Sequence, residues 1–184
     1  MKKISLLATL LFAFGSIFAQ ATHSEFGLKA GLNTSKFNLP NTSSITGFNA
    51  GAFAHVHFTR HFAIQPEVVY SQQGSKLANN ETQKVNYVNI PVLGQYMFGK
   101  GFRLQTGPQL GLRTNATIKN GGHESSNDNS YTAADLAWSF GAGFLSPIGL
   151  GIDARYNLGV TDITKNSTDV QNRVFQLGLF YQFK

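Results

Sequence analysis

Phe26-Gly27-Leu28-Lys29-Ala30-Gly31-Leu32-Asn33 is apolar at every even position and small or polar at every odd one. Successive side chains of an extended chain point to opposite sides, so this period of two marks a β-strand with one greasy face. The same split recurs down the chain. Phe48, Ala50, Ala52, Ala54, Val56 and Phe58 oppose Gly47, Asn49, Gly51, Phe53, His55 and His57, with Phe53 the exception on the polar side. Phe62, Ile64, Pro66, Val68 and Tyr70 oppose Ala63, Gln65, Glu67, Val69 and Ser71. Further alternating runs begin at Val88, Phe102, Leu136, Leu150 and Phe175, the last ending on Phe183. Eight strands of about ten residues result, with no competing helical period.

Composition narrows what such strands can build. Only 13% of the 184 residues are charged, against roughly 25% in an average soluble domain, while 42% are hydrophobic and 12% aromatic. Sixteen Phe and nineteen Gly exclude a charged disordered tail, and the absence of Cys removes disulfide scaffolds, zinc fingers and thiol catalysis. At the N-terminus, Lys2 and Lys3 precede an apolar run from Ile4 to Phe18 and the small-residue pattern Ala19-Gln20-Ala21. That is the layout of a cleaved secretory signal peptide over residues 1–19, with cleavage after Ala21 equally acceptable, leaving one domain over 22–184. Without Lys2 and Lys3 the charge of +6 becomes +4, and no later cluster of Lys or Arg offers a nucleic-acid surface.

Alternation fits both a membrane barrel and a soluble one, and the connections separate the two. Three are tight, around Arg60, around Gly99-Lys100-Gly101 and around Pro147. Pairing Phe58 with Phe62, Phe98 with Phe102 and Phe144 with Leu150 keeps the apolar residues on one face, and Gly101 suits the left-handed position of a three-residue loop. The other connections, near 38–45, 75–86, 114–134 and 159–173, are longer and rich in Asn, Ser, Thr and Gly. Short and long therefore alternate, as short periplasmic turns and long outer loops do in an eight-stranded antiparallel up-and-down transmembrane β-barrel of the outer membrane. Phe58, Phe62, Phe98, Phe102 and Phe144 flank the short turns, and Tyr70, Trp138 and Tyr156 lie further along, which predicts two aromatic girdles. A soluble periplasmic ligand-binding barrel is the structural alternative.

Four stretches carry a family resemblance: Gly27-Leu28-Lys29-Ala30-Gly31-Leu32-Asn33, Tyr87-Val88-Asn89-Ile90-Pro91, Gly107-Pro108-Gln109-Leu110-Gly111, and Arg155-Tyr156-Asn157-Leu158-Gly159-Val160-Thr161-Asp162-Ile163. In their order and spacing they resemble the PorT-like outer-membrane β-barrel proteins common in Bacteroidetes. The resemblance implies residence in the outer membrane. It also implies handling by the barrel assembly machinery, to whose aromatic-ending signal Phe175–Phe183 is similar, although Lys184 follows the last Phe. A role as a component of a secretion or assembly system is a further implication.

The polar face suggests its own contents. Eight strands enclose an interior about wide enough for side chains to fill, so a plugged lumen is expected. Counted from the short turns, Glu67, Asp153 and Arg155 lie at similar depth and should pair, because an unpaired buried charge is costly. The expected cluster is structural, with Lys29 or Arg103 as further partners and with Gly141 and Ser139 opposite making room. His55 and His57 share a face, but no third ligand stands close in sequence, so they read as hydrogen-bonding lumen residues and not as a metal pair. His23 and His61 should face solvent. Gly121-Gly122-His123-Glu124-Ser125-Ser126 contains the ingredients of an acyl-transfer site without the ordered geometry one requires, which leaves a lipid A-modifying enzyme as a third reading. The favoured function is a non-enzymatic outer-membrane barrel that needs no cofactor and no metal, surrounded by lipid and meeting envelope partners through its long loops.

Overall fold

The computed structural model describes residues 23–39, 42–77, 81–120, 123–126, 132–162 and 170–183. The expected signal peptide, Gly121, Gly122 and Lys184 lie outside them. The strands are β1 (His23–Phe37), β2 (Ser43–His57), β3 (Phe62–Lys76), β4 (Thr82–Phe98), β5 (Phe102–Asn120), β6 (His123–Ser126), β7 (Ala134–Leu145), β8 (Leu150–Gly159) and β9 (Asn172–Phe183). Each pairs antiparallel with its neighbours, and β9 returns to β1, so eight strands close a barrel with no free edge. The four-residue β6, which the sequence pattern did not announce, stands outside that ring and pairs with the far end of β5.

The register fixes the barrel's shape. Following cross-strand partners from Ser24 through Val56, Ile64, Gly94, Thr106, Phe140, Tyr156 and Phe175 leads back to β1 at Thr34, a stagger of about ten residues. Over eight strands spaced about 4.8 Å apart, that stagger tilts the strands by about 40°. The ten residues of β8 then rise about 25 Å along the axis, the height of an outer-membrane hydrocarbon layer. The nineteen residues of β5 rise about 48 Å. Strands β1 to β5 hold 15 to 19 residues, β7 to β9 only 10 to 12, so one side of the wall stands well clear of the membrane. Much of the connections expected at 75–86 and 114–134 is therefore strand: β3 runs to Lys76, β4 starts at Thr82, and β5 continues to Asn120. Polar composition at those positions reflects an exterior in water, not an irregular backbone.

The tight turns lie at the opposite end. Phe98 pairs with Phe102, and Gly101 takes φ +111° where a Cβ would come within 2.1 Å of the Leu145 carbonyl oxygen. The third turn differs from expectation by two residues. Phe144 pairs with Ile152, and Ser146 closes onto Leu150 across Pro147-Ile148-Gly149. A shift of two preserves which face each residue takes, so the apolar stripe is unbroken.

That stripe faces outward. Leu28, Leu32, Leu104, Phe140, Ile152 and Leu177 each leave 49–62% of their surface open, while Lys29, Asn33, Glu67, Gln105 and Arg155 are buried inside. Such an exterior needs lipid as its solvent. Near the short turns the rings of Phe62, Tyr96, Phe98, Phe102 and Phe144 follow one another at 4.9–6.3 Å between centroids, a continuous girdle across four strands. Higher up, Phe48 meets Tyr70 at 5.7 Å.

Candidate functional site

The interior at mid-height is a charge cluster built from three strands. Glu67 of β3 and Arg155 of β8 face each other across the lumen, and Arg155 donates from Nη1 to Glu67 Oε2 and from Nη2 to Glu67 Oε1, both at 2.8 Å. Two parallel bonds of that length match the planar guanidinium to the planar carboxylate. Asp153, two residues before Arg155 and therefore on the same face, lies 3.5 Å from Arg155 Nη2. Lys29 of β1 completes the group, 2.9 Å from Asp153 Oδ2 and 3.5 Å from Glu67 Oε2. Two cations and two anions thus balance in a space closed to bulk water. Without that balance, desolvation would cost several kcal/mol per ion.

Amides extend the cluster. Gln65 Nε2 donates to Glu67 Oε1 at 2.7 Å, which turns its Oε1 toward His55 Nδ1 at 3.2 Å. Ser139 donates to Asn157 Oδ1 at 2.8 Å, and Gln95 to Gln105 at 3.0 Å. Gly141, expected to make room for the charges, makes room for Gln105 instead, since a Cβ there would meet Nε2 at 2.8 Å. The clearance beside Asp153 comes from Gly178, where a Cβ would stand 3.2 Å from Oδ1. Among the described residues Arg103 makes no direct ion pair with the cluster. Its guanidinium lies over the Phe180 ring at 5.1 Å and reaches Gln182 Oε1 at 3.5 Å, on the side of the short turns.

Two aromatic side chains cap the cluster from that side. Phe53, the exception on the polar face of β2, meets Phe180 edge to face at 5.9 Å. Phe53 covers Gly27 and Phe180 covers Gly151; a Cβ at either glycine would sit 2.2 Å from the ring. The cavity left among Lys29, Phe53, Arg103, Asp153 and Phe180 is about 10 Å³, barely a single water.

Above the cluster, the lumen changes character. Asn33 donates to Ser71 Oγ at 2.8 Å and accepts from Asn49 at 2.6 Å, and Asn172 bonds Gln73. Beyond this polar layer Phe37, Val85, Tyr87, Ala116 and Val170 form a buried apolar core with Leu39 against it. Period-two patterning marked none of them as core, although Tyr87 opens one of the resembling stretches. They come from four separate parts of the chain, and Ala116 faces inward because of a bulge: Asn86 pairs with Asn115 but Tyr87 with Arg113, so Thr114 is an extra residue that flips the face of the β5 tip.

The comparisons with known proteins agree with this architecture. Residues 18–165 match the family model described as the outer membrane protein beta-barrel domain. No curated protein matches the chain in sequence. Among solved structures, Neisserial surface protein A superposes with a TM-score of 0.65 at 17% identity, over 88% of this chain and 99% of that one. Ail, the attachment invasion locus protein of Yersinia pestis, superposes with a TM-score of 0.56 at 17% identity, over 88% of this chain and all of its own. Its structure in a phospholipid bilayer nanodisc gives 0.52 at 16% identity over the same share. At such identities the likeness is one of fold, while the family model covers most of the chain. The protein belongs to the outer membrane protein beta-barrel domain family, and it stands in the outer membrane as a closed eight-stranded barrel.

Proposed function

We propose that this protein is a sealed, non-enzymatic barrel that carries a raised wall of strands out of the outer membrane as a surface for envelope or extracellular partners. The observation that carries this reading is the double closure of its interior. The Glu67–Arg155–Asp153–Lys29 cluster with its Phe53 and Phe180 cap fills the membrane-level lumen, and the Phe37–Val85–Tyr87 core fills the part above. A barrel filled twice is a rigid post and leaves no aqueous path for a substrate. Folded mature protein in a planar bilayer should show no steady conductance, and a stable open-channel current in the unmodified protein would overturn the reading.

Several features support the non-enzymatic part. Four buried serines are already engaged: Ser71 accepts from Asn33 and Gln73, Ser139 donates to Asn157, and Ser35 and Ser75 donate to the Gly74 and Ser43 backbone carbonyls, so none of these four is bonded to a base as a nucleophile must be. The outer face of the raised wall carries the exposed cations Lys76 and Lys84, and Lys36 pairs in register with Arg173 alongside. That excess favours anionic envelope glycans or lipid head groups as partners. The PorT-like reading draws on the same residues, since Lys29, Asn33, Asn89, Arg155 and Asn157 of the resembling stretches all point into the lumen. Co-purification of a secretion complex would favour that narrower assignment, and unchanged lipid A acyl chains with and without the protein would dispose of the acyl-transfer one. Residues 1–19 serve as the export signal in this reading. Intact-mass measurement of the membrane-extracted protein should find a chain starting at Gln20 or Thr22, delivered by the barrel assembly machinery.

A further inference from the structure

The lipid-facing wall carries a notch that its own packing does not explain. Every other glycine of the described strands would bring a Cβ to 3.0 Å or closer to a neighbour, so close approach accounts for each of them. Gly94 of β4 is exposed, and a Cβ there would meet nothing nearer than the Thr106 carbonyl oxygen at 3.6 Å. No neighbouring atom requires its missing side chain. On the lipid side it forms the floor of a groove of about 710 Å³. We infer that this groove is a binding site for one anionic phospholipid of the periplasmic leaflet, with an acyl chain over Gly94 and the phosphate between Arg60 and Lys100.

Cross-strand register builds the groove. Ile64, Gly94, Thr106 and Phe140 are successive partners on β3, β4, β5 and β7. A missing side chain and a small one therefore lie between two large ones, and the partners Phe62, Tyr96 and Leu104 close the row below. Thr106, the polar residue of the floor, accepts from Trp138 Nε1 at 2.9 Å, so its oxygen needs no water there. Such a surface suits hydrocarbon, and its volume falls in the range of about 300–1,000 Å³ usual for small-ligand clefts. Its depth fits one leaflet. Thr106 stands four residues beyond Phe102 on β5, about 10 Å along the axis at about 3.3 Å per residue and the strand tilt given above. Half of an outer-membrane hydrocarbon layer is about 12 Å.

Charge is the second argument, and it is independent of shape. The turns that join β2 to β3 and β4 to β5 hold the exposed cations Arg60 and Lys100, and none of the three short turns holds Asp or Glu. Both turns border the strands that line the groove. They lie two strand spacings apart, about 10 Å, a gap that two long cationic side chains can close around one phosphate. His61, beside Arg60, stacks on Tyr96 at 6.2 Å between centroids, so the basic rim and the apolar groove are continuous. A second hollow of about 720 Å³ lies over Ala30, Ala50 and Ala52 on the opposite side of the ring. The turn beside it, from Ser146 to Gly149, carries no charge. Apolar shape is common to both places, and the cations single out the first for an anionic head group.

Native mass spectrometry of the membrane-extracted, delipidated protein, titrated with phosphatidylglycerol or with phosphatidylcholine, tests this. One saturable phosphatidylglycerol is expected, bound at least about fivefold more tightly than phosphatidylcholine. Gly94→Leu fills the floor and should weaken it at least about tenfold. The double variant Arg60→Gln with Lys100→Gln should erase the preference between the two lipids. Ala30→Leu, in the second hollow, should leave both affinities unchanged. Heat-modifiable migration on gels verifies that each variant has folded. Should Gly94→Leu fail to fold, the double variant decides, because both of its side chains stand in exposed turns. Absence of a saturable phosphatidylglycerol, equal affinity for the two lipids, wild-type affinity in Gly94→Leu, or equal weakening by Ala30→Leu would each overturn the site. So would a dimer that Gly94→Leu dissolves, which would give the groove to a second copy of the chain.

Discussion

Inside the lipid band the barrel wall is apolar outward and charged inward, whereas a few residues further up the same strands it is polar outward and apolar inward. Leu104 and Leu110 of β5 face out and Arg103 and Gln105 face in; past the bulge at Thr114, Asn115 and Lys119 are exposed and Ala116 is buried. The backbone ladder is continuous across the change, so it cannot be the cause. Solvent is the difference. Where hydrocarbon surrounds the wall, outward apolar groups need no burial, and the interior can be closed by hydrogen bonds and ion pairs. Where water surrounds the wall, apolar burial again becomes the available driving force, and a small core of the ordinary kind appears.

The two interiors should respond differently to damage. Arg155→Leu leaves Glu67 buried without its bidentate partner and should cost about 3–5 kcal/mol of the barrel's stability, read as a fall in the urea midpoint of unfolding in detergent. The paired change Glu67→Leu with Arg155→Leu should recover most of that loss, since no lone charge remains. If the double variant is as unstable as the single one, the cluster's geometry matters more than its charge balance.

A second comparison tests the boundary itself. Leu104→Arg and Thr117→Arg place the same side chain on the outer face of β5 on either side of the bulge. The first enters lipid and should cost about 2–4 kcal/mol; the second enters water and should leave stability within about 0.5 kcal/mol. Equal costs at both positions would mean that the bulge does not mark the membrane surface.

Much of this division was written in the chain in a form that a period-two reading decodes. The parity of Phe26–Asn33 gives the faces of β1, and its repetition gives eight strands, because side-chain alternation depends only on local geometry. Depth counting from the turns brought Glu67, Asp153 and Arg155 to one level, but it could not exclude Arg103, whose displacement toward Phe180 follows from the stagger of the whole ring. Nor could it show that His23 and Glu25 lie across from His57 and His55, because cross-strand register is a property of the pair and not of either strand. The upper core was illegible for a similar reason. Phe37, Val85, Ala116 and Val170 are single apolar residues in polar surroundings, and a one-residue bulge decides which way Ala116 faces.

Truncating that upper core should therefore loosen only the raised wall. Val85→Ala removes two methyl groups from a fully buried position and should cost about 2 kcal/mol. The loss should appear as faster hydrogen exchange at the tips of β3, β4 and β5, with heat-modifiable migration of the barrel unchanged. A fall in whole-barrel stability of the same size would show that the two interiors fold as one unit.

The smallest expected difference isolates the solvent most cleanly. Trp138 Nε1 donates to Thr106 Oγ1 at 2.9 Å on the lipid face, and Asn86 Nδ2 donates to Asn115 Oδ1 at 2.7 Å on the outer face of the raised wall. Both are single side-chain bonds between neighbouring strands, and neither is buried in protein. When Asn86 becomes Ala, water takes its place at Asn115, so the change should cost no more than about 0.5 kcal/mol. Converting Thr106 to Val keeps the shape but strands the indole N–H where hydrocarbon offers no acceptor, so about 1–2 kcal/mol should be lost. Urea titration resolves a gap of that size if both variants are compared in one lipid. Were the two costs equal, Trp138 would have to reach water or a head group when its partner is removed. Its strand would then sit nearer the interface than the register of β5 and β7 places it.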